Sequence, residues 1–249
     1  MNHLSAQVTF KVKDGLSLHG DMDAVHFGLH YTAEGSTEVN DMLLRTTPMV
    51  DERPERVPGL RTKFLNDGIP ADRVARLSVT LGLPDGSGYV KLASADPSVQ
   101  PTFNYRYLQH PNDKRRVRDG IRKAVGFIES DAYKDVCDHR LHPVDDILNN
   151  DDALDLYISQ TVGTARHVSG TCKMGPDSDP MAVVDQYCSV KGVEGLSVVD
   201  ASIKPKITRS GGSHATVLMM AERAVEFIAR VEAKVLSLIH NSRSRRIER

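Results

Sequence analysis

The amino-acid sequence predicts an α+β protein. Three observations predict it: apolar residues that alternate with polar ones near the start, apolar residues that recur every three or four positions in the middle, and short apolar runs followed by one long helical pattern at the end. Val8, Phe10 and Val12 alternate with polar neighbours, and Val25, Phe27, Leu29 and Tyr31 do so again, a period of two that buries one face of each strand. Residues 45–72 carry Pro48, Pro54, Pro58 and Pro70 among many charges and read as a long loop, of the kind often used as a lid or binding loop.

Residues 74–81 are β-rich, Pro84-Asp85-Gly86-Ser87-Gly88 is a turn, and residues 89–92 return, which predicts a hairpin. Gly86-Ser87-Gly88 is no phosphate loop, because a strand follows it where a helix would be needed. From Asn112 the pattern becomes helical, with Asn112 or Asp113 as the cap and Val117, Ile121, Ala124, Val125 and Ile128 on one face. Asp151-Asp152 opens a second helix through Leu154, Leu156, Tyr157 and Ile158; acidic residues in a first turn suit the helix dipole. Residues 182–185 and 196–200 are short apolar runs typical of buried strands. Residues 215 to about 238 form a long helix with Val217, Leu218, Met220, Ala221, Ala224, Val225 and Ile228 on a broad apolar face. The tail from Asn241 holds Arg243, Arg245, Arg246 and Arg249 and reads as a solvated, disordered basic end.

Composition narrows the function classes. The 249 residues carry 32 basic and 33 acidic side chains, so no global field draws nucleic acid or anionic lipid. Three cysteines, Cys137, Cys172 and Cys188, are an odd number without regular spacing and suit a reducing compartment. There is neither an opening signal-peptide pattern nor an apolar run long enough to span a bilayer, so a cytoplasmic protein is expected.

Two histidines stand in compact motifs. His167 lies in Arg166-His167-Val168-Ser169-Gly170-Thr171-Cys172-Lys173-Met174-Gly175. His214 lies in Gly211-Gly212-Ser213-His214-Ala215-Thr216, after Gly195-Leu196-Ser197-Val198-Val199-Asp200-Ala201-Ser202-Ile203. Neutral histidine is a base whose pKa sits near working pH without heavy tuning, and a second polar group can hold a hydroxyl in line while negative charge develops on it. Two glycines before a helix let backbone approach a ligand, and the helix start offers free amides to negative charge.

In that order the two segments resemble the C-terminal part of the glucose–methanol–choline (GMC) family of flavin-dependent alcohol oxidoreductases, as does the stretch from Gly88 to Pro97 with Pro101 and Asn104-Tyr105. The resemblance implies a partial, antiparallel-sheet substrate-binding domain over residues 1–180, with flanking helices. It also implies the last strand and helix of a Rossmann-like FAD-binding domain over 181–236, and a tail over 237–249. The family's strand–G-x-G-x-x-G–helix start is absent from these residues, so the chain reads as the later part of an enzyme and is expected to be inactive alone. FAD is the implied cofactor, met by Asp200 and Ala201 along its ribityl–pyrophosphate region and by Ala215 and Thr216 at the isoalloxazine ring. His167 and His214 are the implied catalytic pair: removal of a hydroxyl proton by His167, positioning by His214, and hydride transfer to flavin N5. The wording His-Ala-Thr-Val departs from the commoner N-A-P-T of the family.

The expected partner is a small alcohol. With no tryptophan and 5% aromatic residues a cage for a quaternary ammonium has little material, which favours a neutral or apolar substrate over choline. The sequence does not name the electron acceptor. Other readings remain: a non-catalytic binding or interaction fragment derived from such an enzyme; a serine hydrolase on Ser213, with Glu222, Glu226, Glu232 and His240 as the only later acids and histidine; and a zinc site on His167, Cys172 and Cys188.

Overall fold

The molecule, a computed structural model, is described for residues 1–16, 28–48, 67–209 and 213–229. Its described residues fall into two units. One comprises Met1–Arg166 and Arg209, the other His167–Thr208 and residues 213–229.

The first unit is built on β1 (Leu4–Val12), where Leu4, Ala6, Val8, Phe10 and Val12 are all buried, the alternation that predicts a strand. Around it runs an antiparallel sheet with β2 (Gly28–Tyr31), β3 (Met42–Pro48), β4 (Val74–Leu81), β7 (Cys137–His142) and β8 (Gly163–Thr164), in the order β2-β3-β4-β1-β7, with β8 also on β1. Among the described residues β5 (Tyr89–Lys91) and β6 (Thr102–Asn104) pair with each other alone. The antiparallel sheet agrees with expectation, but the hairpin from β4 into residues 89–92 does not form. β4 pairs instead with β1 and β3. The reason lies in the turn: the Asp85 and Gly86 amides donate to the Asp113 carboxylate (2.8 and 2.9 Å), so the chain is tied to a helix and not folded back. Gly88 sits so close to β6 that a Cβ there would lie 2.0 Å from the Asn104 carbonyl oxygen.

Two helices cover the sheet. α1 (Pro111–Ile128) buries Val117, Ile121, Ala124, Val125 and Ile128, the predicted stripe. It starts one residue before the cap read from sequence, because proline fits the first helical position and Asp113 is engaged elsewhere. After a short helix, α2 (Asp145–Leu148), α3 (Asp151–Thr161) is capped by Asn150, whose side-chain oxygen accepts from the Asp152 and Ala153 amides. Leu154, Tyr157 and Ile158 of α3 join the core, while Leu156 is exposed. The expected loop of residues 45–72 begins later than predicted, since β3 runs to Pro48; residues 49–66 and the strand reading at Val25 and Phe27 lie outside the described residues.

The second unit has little regular structure before its helix. The apolar runs at 182–185 and 196–200 are not strands of a ladder: they make isolated bridges, Met174 to Val184, Val184 to Val190 and Ser189 to Ser197. Val184, Cys188, Ile203 and Ala224 form its small core, joined by Met174, Val183, Val190, Val198, Val199 and Met220. α4 (residues 214–229) contributes buried Ala224 and half-buried Met220, with Leu218, Met219, Val225 and Ile228 exposed. Residues 230–249, including the basic tail, lie outside the described residues.

Candidate functional site

His167 follows β8 through a sharp change of backbone direction. Arg166 has φ +63° and Gly170 φ +83°, so left-handed residues flank the histidine on both sides. At Gly170 the absence of a Cβ makes this inexpensive; at Arg166 it costs about 1–2 kcal/mol. His167 is half-buried, and its carbonyl accepts from the hydroxyl of fully buried Ser169 at 3.1 Å.

The next residues run beside the Asp200 motif. The Gly170 amide donates to Ala201 O (3.4 Å), Cys172 to Ser202 O (3.0 Å) and Met174 to Ile203 O (2.8 Å). Asp200 is exposed and caps the 3₁₀ turn Ala201–Ile203, accepting from the Ser202 amide at 2.7 Å. One of its lone pairs is thus committed to local structure; Ala201 is half-buried. Ile203, at the end of this turn, packs in the same cluster as Met220 and Ala224 of α4.

α4 begins at the second histidine. The first helical bond runs from the Val217 amide to Ser213 O (2.9 Å), which makes Ser213 the cap and leaves the amides of His214, Ala215 and Thr216 without an acceptor inside the helix. His214 and Ala215 are exposed and Thr216 is half-buried. Ser213 Oγ is buried and, among the described residues, has no hydrogen-bond partner, so it does not cap the helix with its side chain. A helix start whose first amides have no acceptor inside the helix, beside an exposed imidazole, suits a ligand ring that carries negative charge.

This geometry bears on two readings. Among the described residues the group of ligand-type side chains close enough to share an ion is Asp85, His110 and Asp113, and not His167, Cys172 and Cys188. Asp85 and Asp113 there already bind the Arg116 guanidinium. A hydrolase would need a base on Ser213; among the described residues the hydroxyl has no partner and Glu226 pairs with Arg223, while Glu232 and His240 lie outside the described residues.

The sequence gives no sign of one neighbour of the site. Lys204 follows the 3₁₀ turn, is only 3% exposed, and its ammonium finds no partner among the described residues; burial pulls its pKa below the ordinary lysine value. A lone lysine in a Lys-Pro-Lys run carries no periodicity that would have marked it as buried.

Comparison with known proteins fits this arrangement. The profile of the GMC oxidoreductase family matches residues 84–221, more than half of the chain. The chain belongs to the GMC oxidoreductase family. It is 40% identical over 148 residues to a GMC-type oxidoreductase of Rhodococcus erythropolis, covering 59% of this chain and 28% of that protein. It is 32% identical over 244 residues to an oxygen-dependent choline dehydrogenase of Staphylococcus aureus, covering 91% of this chain and 42% of the relative. Pyridoxine 4-oxidase from Mesorbium loti shares the fold, with a TM-score of 0.74 at 23% identity over 90% of this chain and 42% of its own. Formate oxidase does so with 0.74 at 21%, over 95% and 47%. The chain therefore spans less than half the length of these relatives. No helix among the described residues is long and apolar enough to cross a membrane.

Proposed function

We propose that this chain is the part of an FAD-dependent oxidoreductase that presents the catalytic base to a small alcohol. The observation that carries the reading is the pairing of Gly170, Cys172 and Met174 with Ala201, Ser202 and Ile203, and the packing of Ile203 with Met220 and Ala224 of α4. It gathers the His167 motif, the Asp200 motif and the helix that starts at His214 into one small unit, although 47 positions separate the histidines in sequence (214 − 167).

In this reading His167 accepts the substrate's hydroxyl proton, a task suited to a half-buried neutral imidazole. His214 donates to or accepts from the same oxygen and holds it in line as it gains negative charge. FAD, when bound, supplies the hydride acceptor at its N5 atom. The residues that would hold it are Asp200 and Ala201 along the ribityl–pyrophosphate region, with Ala215 and Thr216 of the helix start against the ring. Residues 1–180 make up most of a substrate-binding domain, and residues 181–236 complete the FAD-binding domain. Scant aromatic material again favours a neutral or apolar alcohol.

His167→Ala in the flavin-loaded enzyme tests the assignment. Anaerobic reduction of the flavin by substrate, followed by its bleaching in the visible band, should slow by roughly 10²–10⁴-fold. Bleaching at the native rate would remove His167 from the chemistry.

A further inference from the structure

We infer that Asn2, Tyr107 and Thr164 form a positioning set for His167. The inference rests on the reading of His167 as the base and extends it to residues that the motif does not contain.

The three side chains come from distant parts of the first unit and meet at β8. The Asn2 amide nitrogen donates to the Tyr107 hydroxyl at 2.6 Å and to Thr164 Oγ1 at 2.7 Å. An asparagine amide has two donor hydrogens, and these two bonds use both. The Tyr107 hydroxyl lies 3.5 Å from His3 O, which it can reach as donor, and is also hydrogen-bonded to the Thr164 side chain. Burial pushes the Tyr107 phenol above its ordinary pKa, so it stays a neutral hydroxyl able to donate. Asn2, at the centre of the set, is only 4% exposed, while Tyr107 is half-buried and Thr164 lies at the surface.

Thr164 passes this order on to the chain beyond it. Its Oγ1 accepts from the Arg166 amide at 3.0 Å, across two residues. That bond fixes Arg166, the non-glycine residue held at φ +63° immediately before His167. β8 cannot hold this turn by itself. It is two residues long and pairs only Leu4 with Thr164 and Ser5 with Gly163, with one further bond from the Ala165 amide to His3 O (3.1 Å). A left-handed arginine persists only where its surroundings over-determine it, and such strain collects beside functional groups. Here the over-determination is the side-chain set, and the group beside it is His167.

The positioning set makes no claim on substrate or flavin, so its loss should lower turnover without weakening substrate binding. Thr164→Val keeps the shape of the side chain and removes the acceptor. In the holoenzyme kcat should fall roughly tenfold to a hundredfold with KM changed less than about threefold, the mark of a misplaced group and not of a lost binding contact. Thr164→Ser restores the hydroxyl and should return kcat to within about threefold of the native value. Tyr107→Phe provides a second perturbation should the valine variant fold poorly, with the same split expected.

A readout independent of turnover comes from the ring nitrogens of His167 in ¹⁵N-histidine-labelled protein. They should give one sharp set of signals in the native chain and in Thr164→Ser, and shifted or doubled signals in Thr164→Val. An unchanged kcat and unchanged ring signals in Thr164→Val would overturn the inference, as would a serine variant no better than valine. Full turnover in His167→Ala would instead defeat the functional reading, and the ring signals alone would then decide whether the set orders this residue.

Discussion

Arg116 is the most buried arginine or lysine among the described residues of the first unit, and its removal tests how the sheet and α1 are joined. The guanidinium, 1% exposed, donates to Asp41 and Asp113 at 2.7 Å each and to Asp85 at 3.0 Å. Asp41 is itself fully buried and also accepts from the Ala33 amide at 2.8 Å. Arg116→Met keeps the volume of the stem but leaves two buried carboxylates without their cation. Breaking such a pair from one side costs about 3–5 kcal/mol. With a urea dependence of about 2 kcal/mol per molar, the unfolding midpoint followed by far-ultraviolet circular dichroism should fall by about 1.5–2.5 M.

The pH dependence supplies the sign. Burial alone would raise the Asp41 pKa, yet the Ala33 amide and Arg116 outweigh it and hold the carboxyl below its ordinary range. A carboxylate so held adds stability that is complete above its unfolded pKa, about 3.9, and is lost as pH falls through the folded value. Without the arginine, only the Ala33 and Ser36 hydrogen bonds oppose burial, and the Asp41 pKa rises from its native position. The variant should then recover part of its deficit as the pH is lowered from 7 toward 4, where the native chain has nothing to gain. Arg116→Met with Asp41→Asn should be more stable at pH 7 than Arg116→Met alone. A native midpoint in the single variant, or a double variant no better than the single, would refute the account.

Two further substitutions have signs that follow from local space and burial. In α1, Gly126 has open room for a methyl group, so Gly126→Ala should stabilise by about 0.5–1 kcal/mol, whereas a Cβ at Gly120 would lie 2.5 Å from Val79 Cγ1. Gly120→Ala should therefore lower the urea midpoint, with overpacking of about 1–3 kcal/mol set against the same helix gain. Lys204→Met should raise stability at pH 7 by roughly 1 kcal/mol, since a buried ammonium with no partner among the described residues is replaced by an apolar chain of similar length. Because burial lowers the folded-state pKa of this lysine, its penalty is absent above the unfolded value near 10.4 and grows as pH falls, so the gain should vanish in urea titrations above about pH 10.5.

What could be read from the sequence was whatever repeats within one element. The alternation in β1 and the stripes of α1 and, Leu156 apart, α3 match their buried faces because a period of two or 3.6 is set by the element's own geometry. The false hairpin shows the limit. β4 has both edges paired, to β1 and to β3, and each of these partners is separated from it by a long stretch of chain that leaves no local pattern. The cap of α1 was misread for a related reason: Asp113 has the chemistry of a cap, but its carboxylate is committed to the Asp85 and Gly86 amides and to Arg116. Likewise the residues 182–185 and 196–200 are apolar enough for strands, yet they make only isolated bridges, through Val184 and Ser197. His167 and His214 were named as candidates from their motifs, and both histidines lie in the second unit. Thr164, Asn2 and Tyr107 were not, since their meeting joins positions 105 and 162 residues apart and no local pattern records it.

The distribution of regular structure bears on the chemistry. The residues proposed to meet substrate and flavin lie where ladders are fewest, and the segment is held instead by discrete bonds, Gly170 to Ala201, Cys172 to Ser202 and Met174 to Ile203, over a core of four buried side chains. A full ladder would have engaged the backbone groups on both edges of each segment and left none facing a ligand. Isolated bridges leave some free, and the helix start adds three amides without an internal acceptor. Such a segment gains little rigidity from its own hydrogen bonding, so the direction of its first residue must in part be imposed from outside it. That is the physical reason to look for the positioning of His167 in β8 and in the Asn2–Tyr107–Thr164 set as well as in the Ser169 hydroxyl of its own motif.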